Sequence, residues 1–158
     1  MAGMEKEGGV TMVYKWCESA RYSVDAQVVG DVCEDLDNKG ELTAQNLVNV
    51  SRPESAPLHG MFNWNDAEAA ELYRVEQGRH IIRCLVTVPE NNEATTRAYY
   101  NIVTEERKYH SINTILREPD KYAELMKSAL KELQVFRKKY AVLNELKPVF
   151  DAIDDVTE

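Results

Sequence analysis

Between Pro119 and Lys147 the apolar side chains Tyr122, Met126, Ala129, Leu133, Phe136, Tyr140 and Leu143 recur alternately four and three residues apart. That spacing keeps a stripe on one face of a helix while the helix winds around a partner. It predicts a single long amphipathic helix over this stretch. Pro119 suits its first position, where a missing amide costs nothing, and Pro148 breaks it. Leu125 and Leu130 widen the stripe, so it fits either a coiled-coil seam or the inner face of a packed helix. In the first form the chain is a homodimer with Met126, Leu133, Phe136, Tyr140 and Leu143 in its interface.

A chain of 158 residues can bury a sizeable core without disulfides or metal. No apolar run approaches the roughly 20 residues of a membrane-spanning helix. The Gly- and Glu-rich leader Met1–Val10 lacks the apolar core of a signal peptide, so a cytoplasmic location is expected. Cys17, Cys33 and Cys84 form no Cys-x-x-Cys pair and read as reduced structural thiols. His59, His80 and His110 are equally scattered, and no metal or other cofactor is expected.

Thr11–Trp16 has the composition of an edge strand. Ser23 is placed to cap a helix running to Asn38, with Val28, Val29, Val32 and Leu36 buried and Gly40 stopping it. Thr43 caps a second helix, with Leu42 and Leu47 spaced as a hydrophobic staple; Pro53 ends it near Ser51. A loop follows to Gly60. A third helix starts at Asn65, with Asp66 and Glu68 near its positive end and Ala70, Tyr73, Gln77, Ile81 and Cys84 on one face. Gly78 within it suggests the close approach of another element. The period then changes to two: Leu85–Val88 and Arg97–Val103 read as a hairpin joined by Pro89–Thr96. A short helix over Ser111–Leu116 precedes the long one, and an apolar turn Val149–Ile153 precedes a frayed acidic tail.

The expected fold is α+β and mostly helical. It comprises a leader and edge strand (1–22), a three-helix unit with a β-hairpin (23–110), and a helical dimerisation segment (111–158). Three helices followed by a hairpin is the order of a winged helix-turn-helix. The charge is uneven: residues 1–64 carry five basic and ten acidic groups, whereas 119–147 carry seven basic and four acidic. The candidate DNA-contacting cations are Arg79, Arg83, Arg97, Arg137, Lys138 and Lys139, with Asn63 and Asn65 as side chains for base edges. A solvated helix face accounts better for the Arg137–Lys139 cluster.

No Walker loop, Gly-x-Gly-x-x-Gly, Gly-x-Ser-x-Gly or His-x-x-x-His is present, and no nucleophile has a base beside it. An enzyme is not expected. Leu58, Met61, Phe62 and Trp64 bring large apolar groups into the Pro57–Trp64 loop, either as a plug over the core or as an exposed patch for a partner protein.

The chain resembles a set of small uncharacterised proteins encoded by tailed bacteriophages and prophages, over about Lys15 to Asp154. The resemblance rests on Asp25-Ala26-Gln27-Val28-Val29-Gly30, Leu42-Thr43, Ala56-Pro57-Leu58-His59 and Phe62-Asn63-Trp64-Asn65-Asp66 leading to Ala69-Ala70. Arg137-Lys138-Lys139-Tyr140 and Pro148-Val149-Phe150-Asp151-Ala152-Ile153 also carry it. The pattern in that set reads Ser-Pro-Leu-His and Phe-Glu-Trp-Asp-Asp. Here Ala56, Asn63 and Asn65 replace its Ser, Glu and first Asp, which removes charge and weakens any metal or acid–base role. The resemblance implies a non-enzymatic part in a phage setting within a bacterial host. Two readings follow: a self-associating protein that binds DNA or a DNA–protein complex, and a protein-binding module such as an inhibitor of a host factor or a small assembly protein.

Overall fold

The structure is a computed structural model that describes residues 12–65, 68–89, 94–103 and 106–158, without the side chains of 68 and 69. The expected leader, the Asp66 and Glu68 side chains at the start of the third helix, and part of the 89–96 connection lie outside the described residues. The fold is α+β. Strand β1 (Tyr14–Trp16) is followed by helices α1 (Ala26–Asn38), α2 (Ala44–Val50) and α3 (Glu68–Cys84). Strands β2 (Leu85–Thr87), β3 (Thr96–Arg97), β4 (Tyr99–Val103) and β5 (Arg107–Ser111) come next, then α4 (Ile112–Arg117), α5 (Pro119–Lys139) and α6 (Lys147–Thr157).

Two small antiparallel sheets result, one ordered β1-β2-β3 and one pairing β4 with β5. The stretch expected as one strand from Arg97 is divided at Ala98. Its amide donates to the Leu85 carbonyl at 3.0 Å, and its carbonyl accepts from the Ile112 amide at 2.8 Å. Ala98 thus closes one ladder and opens the next, and the chain changes sheet there. Strand β5 was not expected; its Arg-Lys-Tyr-His-Ser sequence lacks the β-branched residues that mark strands.

Helix α1 begins two residues later than Ser23 suggests. The Trp16 indole donates to the Val24 carbonyl at 2.8 Å, and the Asp25 carboxylate caps the helix by accepting from the Gln27 amide at 2.7 Å. The buried row is Ala26, Val29, Gly30, Cys33 and Leu36, whereas Val28 is exposed. Gly40, at φ +68°, takes the left-handed conformation that ends the helix. Thr43 caps α2 as expected, accepting from the Asn46 amide at 3.0 Å, and Leu42 and Leu47 are both fully buried. Gly78 admits α2: a Cβ there stands 3.1 Å from the Ala44 carbonyl oxygen.

The buried face of α3 differs from expectation. Tyr73 is exposed, and Arg74, the next residue, is buried instead. Its guanidinium donates to the carbonyls of Asn63 at 2.6 Å and Asn65 at 2.9 Å and to Glu71 Oε2 at 3.0 Å. It also lies 5.0 Å from the Trp64 ring centroid. A buried cation satisfied on every side anchors the Pro57–Trp64 loop. That loop is a plug: Leu58 and Phe62 are buried, Phe62 meets Trp64 at 5.7 Å between ring centroids, and the Trp64 indole donates to the His59 carbonyl at 2.7 Å.

The core lies among β1, α1, α2, the end of α3, and β4. At its centre the Tyr14 ring rests on Gly30, where an added Cβ falls 2.1 Å from the ring. Gly30→Ala therefore forces a buried ring to move. We expect a destabilisation of about 1–3 kcal/mol, against a helix-propensity gain of up to ~1 kcal/mol for Ala over Gly, measurable by urea unfolding. A variant as stable as the parent contradicts this packing.

Candidate functional site

The long helix ends at Lys139, eight residues before the expected Lys147, and the chain turns back through Tyr140–Leu143 into α6. The reason is burial. A straight helix to Lys147 leaves Phe150 and Ile153 in water, whereas the fold-back buries both to 5% and 4% exposure. Phe150 meets Phe136 at 6.3 Å between ring centroids. Arg137 holds Asp154 through two hydrogen bonds, Nε to Oδ1 at 2.6 Å and a terminal nitrogen to Oδ2 at 2.9 Å. This bidentate pair holds the Asp154 carboxyl below its usual range. The segment expected as a frayed acidic tail is thus a helix packed on α5.

The turn changes the expected interface. Tyr140 and Leu143 leave the helical seam; the Tyr140 ring meets Phe136 at a tilt of 53° with centroids 5.0 Å apart, and Leu143 is exposed in the turn. Met126, Leu133 and Phe136 remain on α5, joined by Tyr122. None of the 21 residues of α5 is buried, and these four side chains are 37–44% exposed. Leu125, on a neighbouring face, packs against the core and attaches the first half of the helix.

An open groove of about 720 Å³ runs along Tyr122, Met126, Leu130 and Gln134, with Thr157 at the end of α6 forming its far side. Its floor is apolar and its rim carries Lys127 and Lys131. The two helices have opposite charge: α5 holds six basic and three acidic side chains, whereas α6 holds Lys147 against Asp151, Asp154 and Asp155.

The root of this helical arm is polar. Asp37, at the end of α1, accepts the Ser111 amide at 3.2 Å, and Ser111 in turn caps α4 by accepting from the Thr114 amide at 3.2 Å. His110 Nδ1 stands 3.9 Å from the same carboxyl. Burial pushes Asp37 up to about 6, opposed by the Ser111 amide and by Lys121 at the start of α5. Burial also pushes His110 below its ordinary value, with Lys121 acting in the same direction. The two groups have opposite linkage. The folded state holds the Asp37 proton more tightly than the unfolded state, so this residue's contribution to stability falls as pH rises through about 4 to 6. Neutral His110 contributes stability that is lost as pH falls below about 6.5.

The candidate DNA-contacting residues lie in two places. Arg83 and Arg97 both act on the Cys84 thiol, where α3 meets β2. Arg97 lies 5.7 Å from the Tyr100 ring centroid, and Arg79 pairs with Glu76. Arg137, Lys138 and Lys139 sit in the last turn of α5, a helix about 30 Å long, and Arg137 is committed to Asp154. Among the described residues no group of three or more His, Cys, Asp or Glu side chains is arranged to hold a metal, and no helix is long and apolar enough to cross a membrane.

No protein family, curated protein or solved structure matches the chain.

Asp37→Asn keeps an oxygen for the Ser111 amide and removes the titration. Its stability gain over the parent is expected to rise from near zero below about pH 4 to the order of 2–3 kcal/mol above about pH 6. Paired urea titrations across that range measure it. A gap that does not change with pH contradicts the buried carboxyl.

Proposed function

We propose that this is a non-enzymatic, self-associating protein of phage or prophage origin that works through protein–protein contact, with the α5–α6 arm as its docking element. The observation that carries this reading is the apolar face of Tyr122, Met126, Leu133 and Phe136 along a helix with no buried residue. An exposed apolar strip rimmed by charge is the usual form of an interaction site.

The occupant is a second copy. The arm joins a basic α5 to an acidic α6. Although Asp154 and Asp151 are held within the chain by Arg137 and Lys147, a two-fold arrangement still sets Lys127 and Lys131 of each copy towards the acidic helix of the other. Such a dimer is a four-helix bundle built from two hairpins.

DNA binding through Arg79, Arg83, Arg97, Arg137, Lys138 and Lys139 is the weaker reading. It rests on the winged-helix-like element order and on Arg83, Lys138 and Lys139, which are exposed. Arg79 and Arg137 already have carboxylate partners.

Sedimentation velocity of the parent is expected to show a dimer that weakens as salt rises. Met126→Lys is expected to weaken it tenfold or more with unchanged circular dichroism, since a buried Met contributes about 1.5–3 kcal/mol. A parent that stays monomeric at high concentration overturns the reading. Fluorescence anisotropy with duplex and single-stranded DNA is expected to show no binding at low salt; binding that survives near-physiological salt favours the DNA reading instead.

A further inference from the structure

We propose that Cys17 and Cys84 are a redox-responsive thiol pair that closes to a disulfide when a hydroperoxide reaches Cys17. The sheet register carries the argument. Strands β1 and β2 pair antiparallel as Tyr14↔Thr87, Lys15↔Val86 and Trp16↔Leu85, which sets Cys17 directly opposite Cys84. The ladder continues to this pair, with the Cys17 amide donating to the Cys84 carbonyl at 2.9 Å. This single bond carries the register one step past the paired residues. Residues that face each other across antiparallel strands hold their Cα atoms about 4.5–5.5 Å apart, within the range that a disulfide spans. Each thiol is close enough to shift the ionisation of the other.

The surroundings divide the roles. Cys17 is half-buried, and its sulfur lies 3.4 Å from the Ser19 hydroxyl oxygen. That hydroxyl, followed by the Cys84 thiol, holds the Cys17 thiol below its usual value. Cys84 is buried, and burial first, then Cys17, pushes it up to about 11. Cys17 is therefore the group that becomes a thiolate and meets an oxidant, and Cys84 keeps its proton until it is needed. The exposed His80 ring, 3.7 Å through Nε2 from the Cys84 sulfur, is placed to take that proton. Cys33 is fully buried on α1 and takes no part.

The chemistry balances with one equivalent of hydrogen peroxide. The Cys17 thiolate attacks one peroxide oxygen, the O–O bond breaks, and the departing hydroxide is protonated to water, leaving a sulfenic acid. Cys84 gives its proton to His80 and attacks the Cys17 sulfur. The S–O bond breaks, the hydroxyl leaves with that proton as a second water, and the S–S bond forms. Two thiols are oxidised and one peroxide is reduced. The product ties the end of β1 to the junction of α3 and β2.

Hydrogen peroxide added stoichiometrically to the reduced full-length protein, followed by non-reducing peptide mapping, tests the pair. Expected is a Cys17–Cys84 peptide two hydrogens lighter, Cys33 still free, and a Tm raised by roughly 5 °C or more that falls back on reduction. Cys84→Ser is expected to trap the sulfenic acid on Cys17 as a dimedone adduct, and Cys17→Ser to leave Cys84 unmodified. A linkage through Cys33, a linkage between molecules, or two thiols that stay reduced overturns the proposal. So does oxidation of Cys17 past the sulfenic acid while Cys84 remains free.

Discussion

Two buried tyrosines hold the domain together. Tyr14 on β1 and Tyr99 on β4 stack with ring centroids 6.1 Å apart, and their hydroxyls share a hydrogen bond of 2.8 Å. Burial pushes the pKa of both phenols up, so each stays neutral and satisfies the other. Loss of the Tyr14 hydroxyl strands that of Tyr99 in an apolar interior, which is more costly than losing the bond itself, whereas the Tyr14 hydroxyl also donates to the Met12 sulfur at 3.3 Å. The pair dictates its neighbours. Tyr14 lies flat because α1 offers Gly30 beneath it. Its backbone stays in place because the Gln27 side chain accepts from the Tyr14 amide at 3.1 Å and donates to the Met12 carbonyl at 3.0 Å. Tyr99 reaches the pair because the chain changes sheet one residue earlier, at Ala98.

That change of sheet leads from the core to the arm. Strand β4 pairs with β5 from Tyr99↔Ser111 to Val103↔Arg107, β5 ends at the Ser111 cap, and α4 then leads into α5. The interior supports only the root, through Leu125 and the Asp37–Ser111 contact. Beyond it the arm is stabilised by its own fold-back. Arg137, Lys138 and Lys139 close α5, where the negative end of the helix dipole favours cations, and one of them clasps α6. The densest positive cluster of the chain therefore has a structural role before any ligand is considered.

What could be read in the sequence was what neighbouring residues decide. The Thr43 cap, the Leu42 and Leu47 staple, the Gly40 stop, the short helix after Ser111 and Pro119 at the head of α5 each depend on a few adjacent positions. The elements missed depend on distant ones. Strand β5 is held by its pairing with β4 and by the Tyr109 amide donating to the Leu42 carbonyl at 2.9 Å, neither of which leaves a periodic mark. The inner face of α3 was misjudged because Arg74 reads as a surface residue until Trp64 and the carbonyls of Asn63 and Asn65 surround it. The pairing of Cys17 with Cys84 was illegible for the same reason, since it follows from a register set between β1 and β2.

The candidate site was half legible for a related reason. A four-and-three repeat says that a helix face will be covered, and is silent on whether the cover comes from the same chain. Here α6 offers two large buried side chains, Phe150 and Ile153, which seat its inner face against the second half of α5. Tyr122 and Met126, near the first half, receive no such partner among the described residues, and Val156 on α6 is exposed as well. The repeat is thus divided between two functions. Its C-terminal half builds the hairpin while leaving Leu133 and Phe136 partly exposed, and its N-terminal half is left as surface. Apolar side chains spaced regularly along one helix face, beside lysines, leave a strip of apolar surface that the chain's own second helix does not cover.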